Sequence, residues 1–256
     1  MIPPMSATSI CDYAGYDYKK EFWETQNRVY EDQIERQTLI KLVRASKATP
    51  QDIKTYLDAG CGFGRLFHTY EPLAQSFILF DYAQHLLDQA KSTLQSRKPI
   101  SFVQGDLNQL PFENASVDMI MSVRTLHHLE TPRNFLSEAY RILTPGGHFI
   151  FEIPNQRHWL NILRFALGRL KQNPFTQDRL QLNTAYFNFH PKFILKELNT
   201  LGFEVKQTVN TSFFRSTLLK KCIPTTWLCN ADAAFQAILS WVYLTPSVYV
   251  LAQKPK

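Results

Sequence analysis

Short apolar runs and longer amphipathic stretches alternate through the middle of the chain. The runs Thr55–Ala59, Phe77–Phe80, Ile100–Val103, Val117–Val123 and Phe149–Ile153 are each bounded by polar or turn-forming residues, which predicts strands. Between them, Ala83 to Arg97 places Leu86, Leu87, Ala90 and Leu94 on one helical face, and Asn134 to Leu143 also reads as a helix. Pro145-Gly146-Gly147 predicts a turn. His190-Pro191 then opens a helix that runs through Leu201 and stops at Gly202. Phe203–Val209 makes a sixth strand and Val248–Ala252 the last. This alternation predicts an α/β fold, a doubly wound and mostly parallel seven-stranded sheet covered by helices on both faces. In such a sheet, ligands bind beyond the carboxyl ends of the strands.

The flanks follow a different pattern. Within the first fifty residues, Tyr30, Ile34, Leu39, Ile40, Leu42 and Val43 recur at near-helical spacing, and Thr49-Pro50 ends the segment. It is dense in aromatics: Tyr13, Tyr16, Tyr18, Phe22, Trp23 and Tyr30 either pack on the sheet or form a flap over the ligand site. The expected organisation is a helical flap over residues 1–50 and a domain over 51–256, with insertions at about 155–190 and 212–241. In the first insertion, Trp159, Leu160, Leu163, Ala166, Leu167 and Leu170 form an apolar face opposite Arg157, Asn161, Arg164, Gly168 and Lys171. Such a helix is expected to cover a core with its polar face in water, although a basic amphipathic helix can also lie on an anionic membrane. The second insertion, Ser212 to Trp241, carries Phe213, Phe214, Leu218, Leu219 and Trp227 beside Arg215, Lys220 and Lys221. It is expected to wall a pocket for a hydrophobic acceptor or to touch a membrane. Ala233 to Gln253 is free of charge, but Gln236, Ser240, Thr245, Pro246 and Ser247 interrupt it, so a buried helix, a turn and a strand are expected rather than a membrane span.

Composition narrows the classes. With 45% hydrophobic and 20% charged residues, the 256-residue chain is globular and large enough for a substantial core. The balance of 28 Lys+Arg against 22 Asp+Glu permits an anionic partner, yet no dense basic block points to nucleic acid. Cys11, Cys61, Cys222 and Cys229 show no metal-site spacing, and residues Met1 to Cys11 lack the signature of a signal peptide, so reduced thiols in the cytoplasm are expected.

The strongest local motif is Leu57-Asp58-Ala59-Gly60-Cys61-Gly62-Phe63-Gly64. A glycine turn after a strand lets a ligand approach the backbone, although a tight β–α turn needs no ligand. The spacing is GxGxG, not the GxGxxG of dinucleotide sites, and it follows an acid. A carboxylate there would repel a pyrophosphate and suits a ligand with a cationic end, such as an ammonium or a sulfonium. Asp81 closes the second strand, where an acid can accept both hydroxyls of a ribose. Asp106 follows the third strand, placed to accept from an adenine amino group. Each of these acids could instead cap a helix. Arg124, His127 and His128 follow the fourth strand, where a general base would sit, and either histidine could instead pack or cap the loop.

Taken in order, YLDAGCGFGR, FILFD, GDLNQLPFENASVDMIMS, the LHHL stretch and RILTPGGHFIFEIPN resemble the core of the class I S-adenosylmethionine-dependent methyltransferases, from Tyr56 to Asn155. The resemblance implies S-adenosylmethionine as cofactor. It implies that Gly60 and Gly62 contact the methionine part with Asp58 beneath, that Asp81 binds the ribose, that Asp106 binds the adenine, and that Leu107 packs near its ring. Cys61, Tyr82 and Arg124 join this cofactor-binding set, and His127 and His128 are the candidate catalytic residues. Three substrate-class motifs of the fold are missing. The place of the DNA amino-methylation motif reads Ser122-Val123-Arg124-Thr125, no cysteine follows a proline, and the paired-glutamate loop of arginine methyltransferases is absent. A small-molecule or lipid-like acceptor is therefore expected over nucleic acid or protein, with peripheral membrane contact open. The alternative is a protein that keeps the fold and cofactor pocket without catalysis.

Overall fold

The computed structural model describes residues 18–25, 28–176, 179–181, 186–238 and 242–256. Cys11, Tyr13, Tyr16, Trp241 and the Leu218 side chain lie outside the described residues.

Five strands, β1 (Thr55–Ala59), β2 (Ser76–Asp81), β3 (Ile100–Gln104), β4 (Val117–Ser122) and β5 (Leu143–Pro154), run parallel. Two more, β6 (Glu204–Thr211) and β7 (Ser247–Gln253), complete a seven-stranded sheet in the order β3-β2-β1-β4-β5-β7-β6. β7 pairs antiparallel to both β5 and β6. The order reverses between β1 and β4, which opens a crevice at their carboxyl ends. The expected turn at Pro145-Gly146-Gly147 forms an irregularity inside β5, whose pairing with β4 jumps from Leu143 to His148.

Helices cover both faces. α1 (Val29–Ser46), α2 (Phe67–Tyr70) and α3 (Gln84–Thr93) lie on one side, where Leu42, Phe67 and Leu87 share a core with Tyr249 and Leu251 of β7. α4 (Pro132–Ile142) and α6 (Pro191–Leu201) lie on the other, where Phe135 and Ile194 share a core with Val248 and Val250. The period of two along β7 thus supplies both cores from one strand, and burying each such side chain contributes about 1.5–3 kcal/mol. Proline at the first position of α4 and α6 presets the helical backbone. At α6, His190 Nδ1 also accepts from the Lys192 N–H at 3.2 Å. α3 is shorter than its apolar spacing predicts, because the chain turns extended at Leu94 to reach β3.

Between the last strands lie α7 (Thr217–Cys222) and α8 (Thr225–Ile238); α8 packs against α1 and β6, and Lys220 of α7 pairs with Glu31 of α1. The joint is a buried acid. Asp232 accepts from Tyr30 Oη, the Phe213 N–H (2.9 Å), Gln236 Nε2 (3.0 Å) and Thr211 Oγ1 (3.3 Å). Phe214 packs beside Tyr30, Leu228 and Cys229, so it belongs to this joint and not to a pocket wall as expected. α5 (Trp159–Ala166) also departs from expectation. It buries Asn161, whose side chain donates to the Gln156 carbonyl at 3.0 Å, while Trp159 and Leu163 are exposed. The apolar stripe thus faces outward. No helix among the described residues is long and apolar enough to cross a membrane.

Candidate functional site

The ends of β1, β2, β3 and β4 meet in one cleft with about 930 Å³ of empty space, part of it open to solvent. Asp58, Gly60, Cys61, Gly62, Asp81 and Tyr82 line it, as do Asp106, Leu107, Arg124 and His128. His127 does not; it lines a neighbouring cavity.

Backbone contacts hold the glycine loop against β2. The N–H groups of Gly60 and Cys61 both donate to the Phe80 carbonyl, at 2.8 and 3.1 Å. The Gly62 N–H donates to Asp81 Oδ2 at 2.7 Å and the Ala83 N–H to Oδ1 at 2.9 Å. Asp81 therefore shapes the loop and keeps further lone pairs on each oxygen for a ligand. Gly60 sits at φ +84°, and a Cβ there would come within 2.7 Å of Thr125 Cγ2. At Gly62 a Cβ would meet nothing nearer than Leu86 Cδ1 at 4.0 Å, so the missing side chain leaves open space in the cleft.

Asp58 is 3% exposed, and Tyr70 Oη donates to its Oδ2 at 2.7 Å. Tyr70 is itself fixed by stacking on Tyr56, with ring centroids 4.6 Å apart. Burial pushes the Asp58 carboxyl up to about 7 despite the Tyr70 hydrogen bond, and the nearby Asp81 adds to the rise. Burial also pushes Asp81 up, against the backbone N–H groups of Ala83, Gly62 and Tyr82. Cys61 is a buried thiol pushed well above its usual range by burial and the two acids. At the far end, Asp106 Oδ1 accepts from the N–H and side chain of Asn108, at 2.8 and 2.9 Å. The neighbouring Tyr82 ring is 48% exposed.

The near wall joins Arg124 and the aromatic segment around Trp23, both singled out in the sequence, to two charged groups that were not, Glu35 and Arg65. Glu35 of α1 is 1% exposed and binds Arg124 Nε at 2.8 Å and Arg65 Nη2 at 2.6 Å. Burial would raise the Glu35 carboxyl, but Arg124 and Arg65 outweigh it and hold it below the usual range. Burial would likewise lower Arg124, but Glu35 and Glu152 hold it above its ordinary value. The Trp23 ring lies over both guanidinium groups, 3.7 Å from Arg65 and 4.9 Å from Arg124, so the turn Tyr18–Glu24 is docked at the cleft by cation–π contact. Two signals for this wall were present: Arg65 directly follows the glycine loop, and Glu31 and Glu35 share the helical spacing of Tyr30 and Ile34.

The second cavity, with about 680 Å³ of empty space, shares Arg124 with the first. It opens at the ends of β4 and β5, between His127, Glu152, His158, Tyr186, Arg215 and Ser247. His127 stacks on Tyr186, with centroids 5.3 Å apart. Burial, then His128, Arg124 and Arg215, push His127 well below its usual range, so it is neutral at pH 7. No cluster that could hold a metal ion occurs among the described residues.

Residues 57–151 match the family described as a methyltransferase domain. The chain is 32% identical over 155 residues to a "probable S-adenosylmethionine-dependent methyltransferase" of Mycolicibacterium smegmatis, a match covering 60% of this chain and 53% of that protein. The chain thus spans about half the length of that relative. Among solved structures, an S-adenosylmethionine-dependent methyltransferase from Mesorhizobium loti superposes with a TM-score of 0.57 at 20% identity, over 79% of this chain and 91% of its own. Magnesium protoporphyrin IX methyltransferase from Synechocystis, solved with bound S-adenosylhomocysteine, gives 0.59 at 18% identity, over 90% and 86%.

Proposed function

We propose, for a chain whose residues 57–151 belong to the class I S-adenosylmethionine-dependent methyltransferases, that it transfers the cofactor's methyl group to a small-molecule or lipid-like acceptor. The carrying observation is a single cleft that joins a buried acid, an open glycine loop and two further strand-end acids, and adjoins a second cavity large enough for an acceptor. The residues suit the cofactor: the open space at Gly62 admits a close backbone approach, and Asp81 keeps lone pairs after its backbone contacts. When bound, S-adenosylmethionine supplies a methyl group on a sulfonium, ready for displacement by a nucleophile.

In this reading Asp58, Gly60, Cys61 and Gly62 hold the amino-acid end, Asp81 the ribose hydroxyls, and Asp106, Leu107 and Tyr82 the adenine end. Arg124 ties the loop after β4 to α1 and separates cofactor from acceptor. Tyr18 and Trp23 exclude water from the mouth of the cleft. His127 and His128 orient the acceptor; the weak basicity of His127 suits an acceptor that is already ionised. The free thiols Cys61, Cys222 and Cys229 suit a cytoplasmic protein. Exposed Trp159, Leu163 and Leu167 beside Arg164 suit peripheral contact with a membrane that carries a lipid-like acceptor.

The test uses the Asp58 carboxyl. Its folded value near 7 is raised, so the stability it contributes is full below its ordinary value of 3.8 and is lost as pH rises through about 7. Binding a ligand ammonium favours the ionised form. Affinity for S-adenosylhomocysteine, measured by calorimetry, is therefore expected to rise between about pH 6 and 8 and then level off. Asp58→Asn keeps an acceptor for Tyr70 and should flatten the profile. An equal slope in the variant would remove Asp58 from the ammonium site.

A further inference from the structure

We infer that the second cavity takes the oxyanion end of an acceptor, a carboxylate or phosphate, on the Arg215 guanidinium; the word acceptor rests on the methyltransferase reading, while the oxyanion site stands on its own geometry.

Arg215 lies in the segment between β6 and α7 and lines the cavity. Its Nη2 donates to Ser247 Oγ at 2.7 Å. None of the ion pairs among the described residues includes it. Its Nε is buried with no hydrogen-bond partner among the described residues. A guanidinium offers five donors in a planar fork that matches a carboxylate or phosphate, and a buried donor left unpaired is costly. The arrangement is thus short of an acceptor.

The carboxylate already in the cavity does not fill that need. Glu152 accepts from the Arg124 N–H at 2.8 Å and from Ser247 Oγ. Ser247 stands between the two groups, accepting from Arg215 and donating to Glu152, and at 2% exposure it fixes the orientation of both. The Arg124 charge is paired with Glu35 and faces Glu152, whereas Arg215 forms no ion pair among the described residues and interacts with Glu35 only over a longer distance.

His158 supplies an independent observation. It comes from the loop after β5, lines the same cavity, and its Nδ1 is buried without a partner. Burial, then Arg215 and Arg164, push it down to about 4, so the free protein holds a neutral imidazole near a guanidinium that lacks a direct ion pair among the described residues. An oxyanion in the cavity would accept from Arg215 Nε and could accept from His158, and would offset the repulsion that adds to burial in keeping the imidazole uncharged. The other histidine lining the cavity, His127, is neutral for similar reasons. Pro154, Pro246 and the Tyr186 ring leave apolar surface for the remainder of such a ligand.

The experiment titrates octanoate, octyl phosphate, octanol and octylamine into the full chain in the presence of S-adenosylhomocysteine, read by calorimetry and ligand-observed NMR. At least one of the two acids is expected to bind about tenfold or more tightly than octanol, and the tighter of the two identifies the oxyanion. Arg215→Gln should lose about tenfold for that acid and leave octanol unchanged, while Arg215→Lys, which keeps the charge, should lose less. Octanol binding as tightly as both acids, octylamine binding in their place, or wild-type affinity for both acids in a folded Arg215→Gln would overturn the inference. Should that variant fail to fold, the comparison of acids with octanol in the unmodified protein decides alone. S-adenosylhomocysteine is titrated separately into the same samples. Its failure to bind would count against the methyltransferase reading, and failure of the acids with it bound would count against the oxyanion site.

Discussion

Glu35→Ala is expected to destabilise the protein by about 3–5 kcal/mol, because it leaves charges buried without their partner. For a chain of this size that corresponds to a fall in Tm of roughly 6–20 °C. Glu35 is 1% exposed, and the Arg65 and Arg124 side chains it joins are each 12% exposed. Without it, Arg124 keeps Glu152 nearby and Arg65 keeps Asp32, but the two guanidinium groups then face each other beneath Trp23. Glu35→Gln, which keeps the shape and loses the charge, should fall between the variant and wild type. The lowered Glu35 value sets the pH dependence: its stabilisation is full above the ordinary carboxylate range and is lost as pH falls through the depressed folded value. The Tm difference between wild type and Glu35→Ala should therefore shrink in acid. A variant that melts within about 2 °C of wild type at pH 7, less than the shift expected from 1 kcal/mol, would show that this cluster does not hold α1 and the Tyr18–Glu24 turn to the cleft.

Asp81→Ala is expected to weaken S-adenosylhomocysteine binding about a hundredfold, as two unpaired ligand hydroxyls together with a loosened loop amount to about 2–4 kcal/mol. The effect has two sources. One is the loss of the acceptor proposed for the ribose. The other is the release of the Gly62 and Ala83 N–H groups, which Asp81 holds at 2.7 and 2.9 Å. Asp81→Asn can still accept through one oxygen and should lose less. Calorimetry of both variants, with circular dichroism to verify folding, separates these outcomes. An affinity within about threefold of wild type in a folded Asp81→Ala, under 1 kcal/mol, would take Asp81 out of the site.

The parallel strands were legible because each is a short apolar run ending in a polar or glycine-rich turn. The cleft was legible for the same reason, since the residues that line it stand at those ends. The second cavity was not. Glu152 and His158, from the end of β5 and the loop after it, meet Arg215 and Ser247 from segments far along the sequence, and no local pattern marks a lone arginine as unpaired. Glu35 was equally hidden, because a charged residue on a helix ordinarily faces water. It is buried because two arginines meet it there. The reversed face of α5 has a comparable cause: Asn161 finds a backbone partner inside, and the apolar stripe is left outside. The late insertion read as a pocket wall because it is apolar and basic, yet Asp232 and Phe214 fasten it to α1, and Arg215 alone among its singled-out and described residues lines the cavity.

The most direct test is a calorimetric titration of the unmodified protein with S-adenosylhomocysteine, repeated in the presence of excess NADH. One site per chain is expected, with a Kd on the order of micromolar, about 8 kcal/mol of binding free energy, unaffected by the dinucleotide. Binding of NADH with no binding of S-adenosylhomocysteine would contradict it.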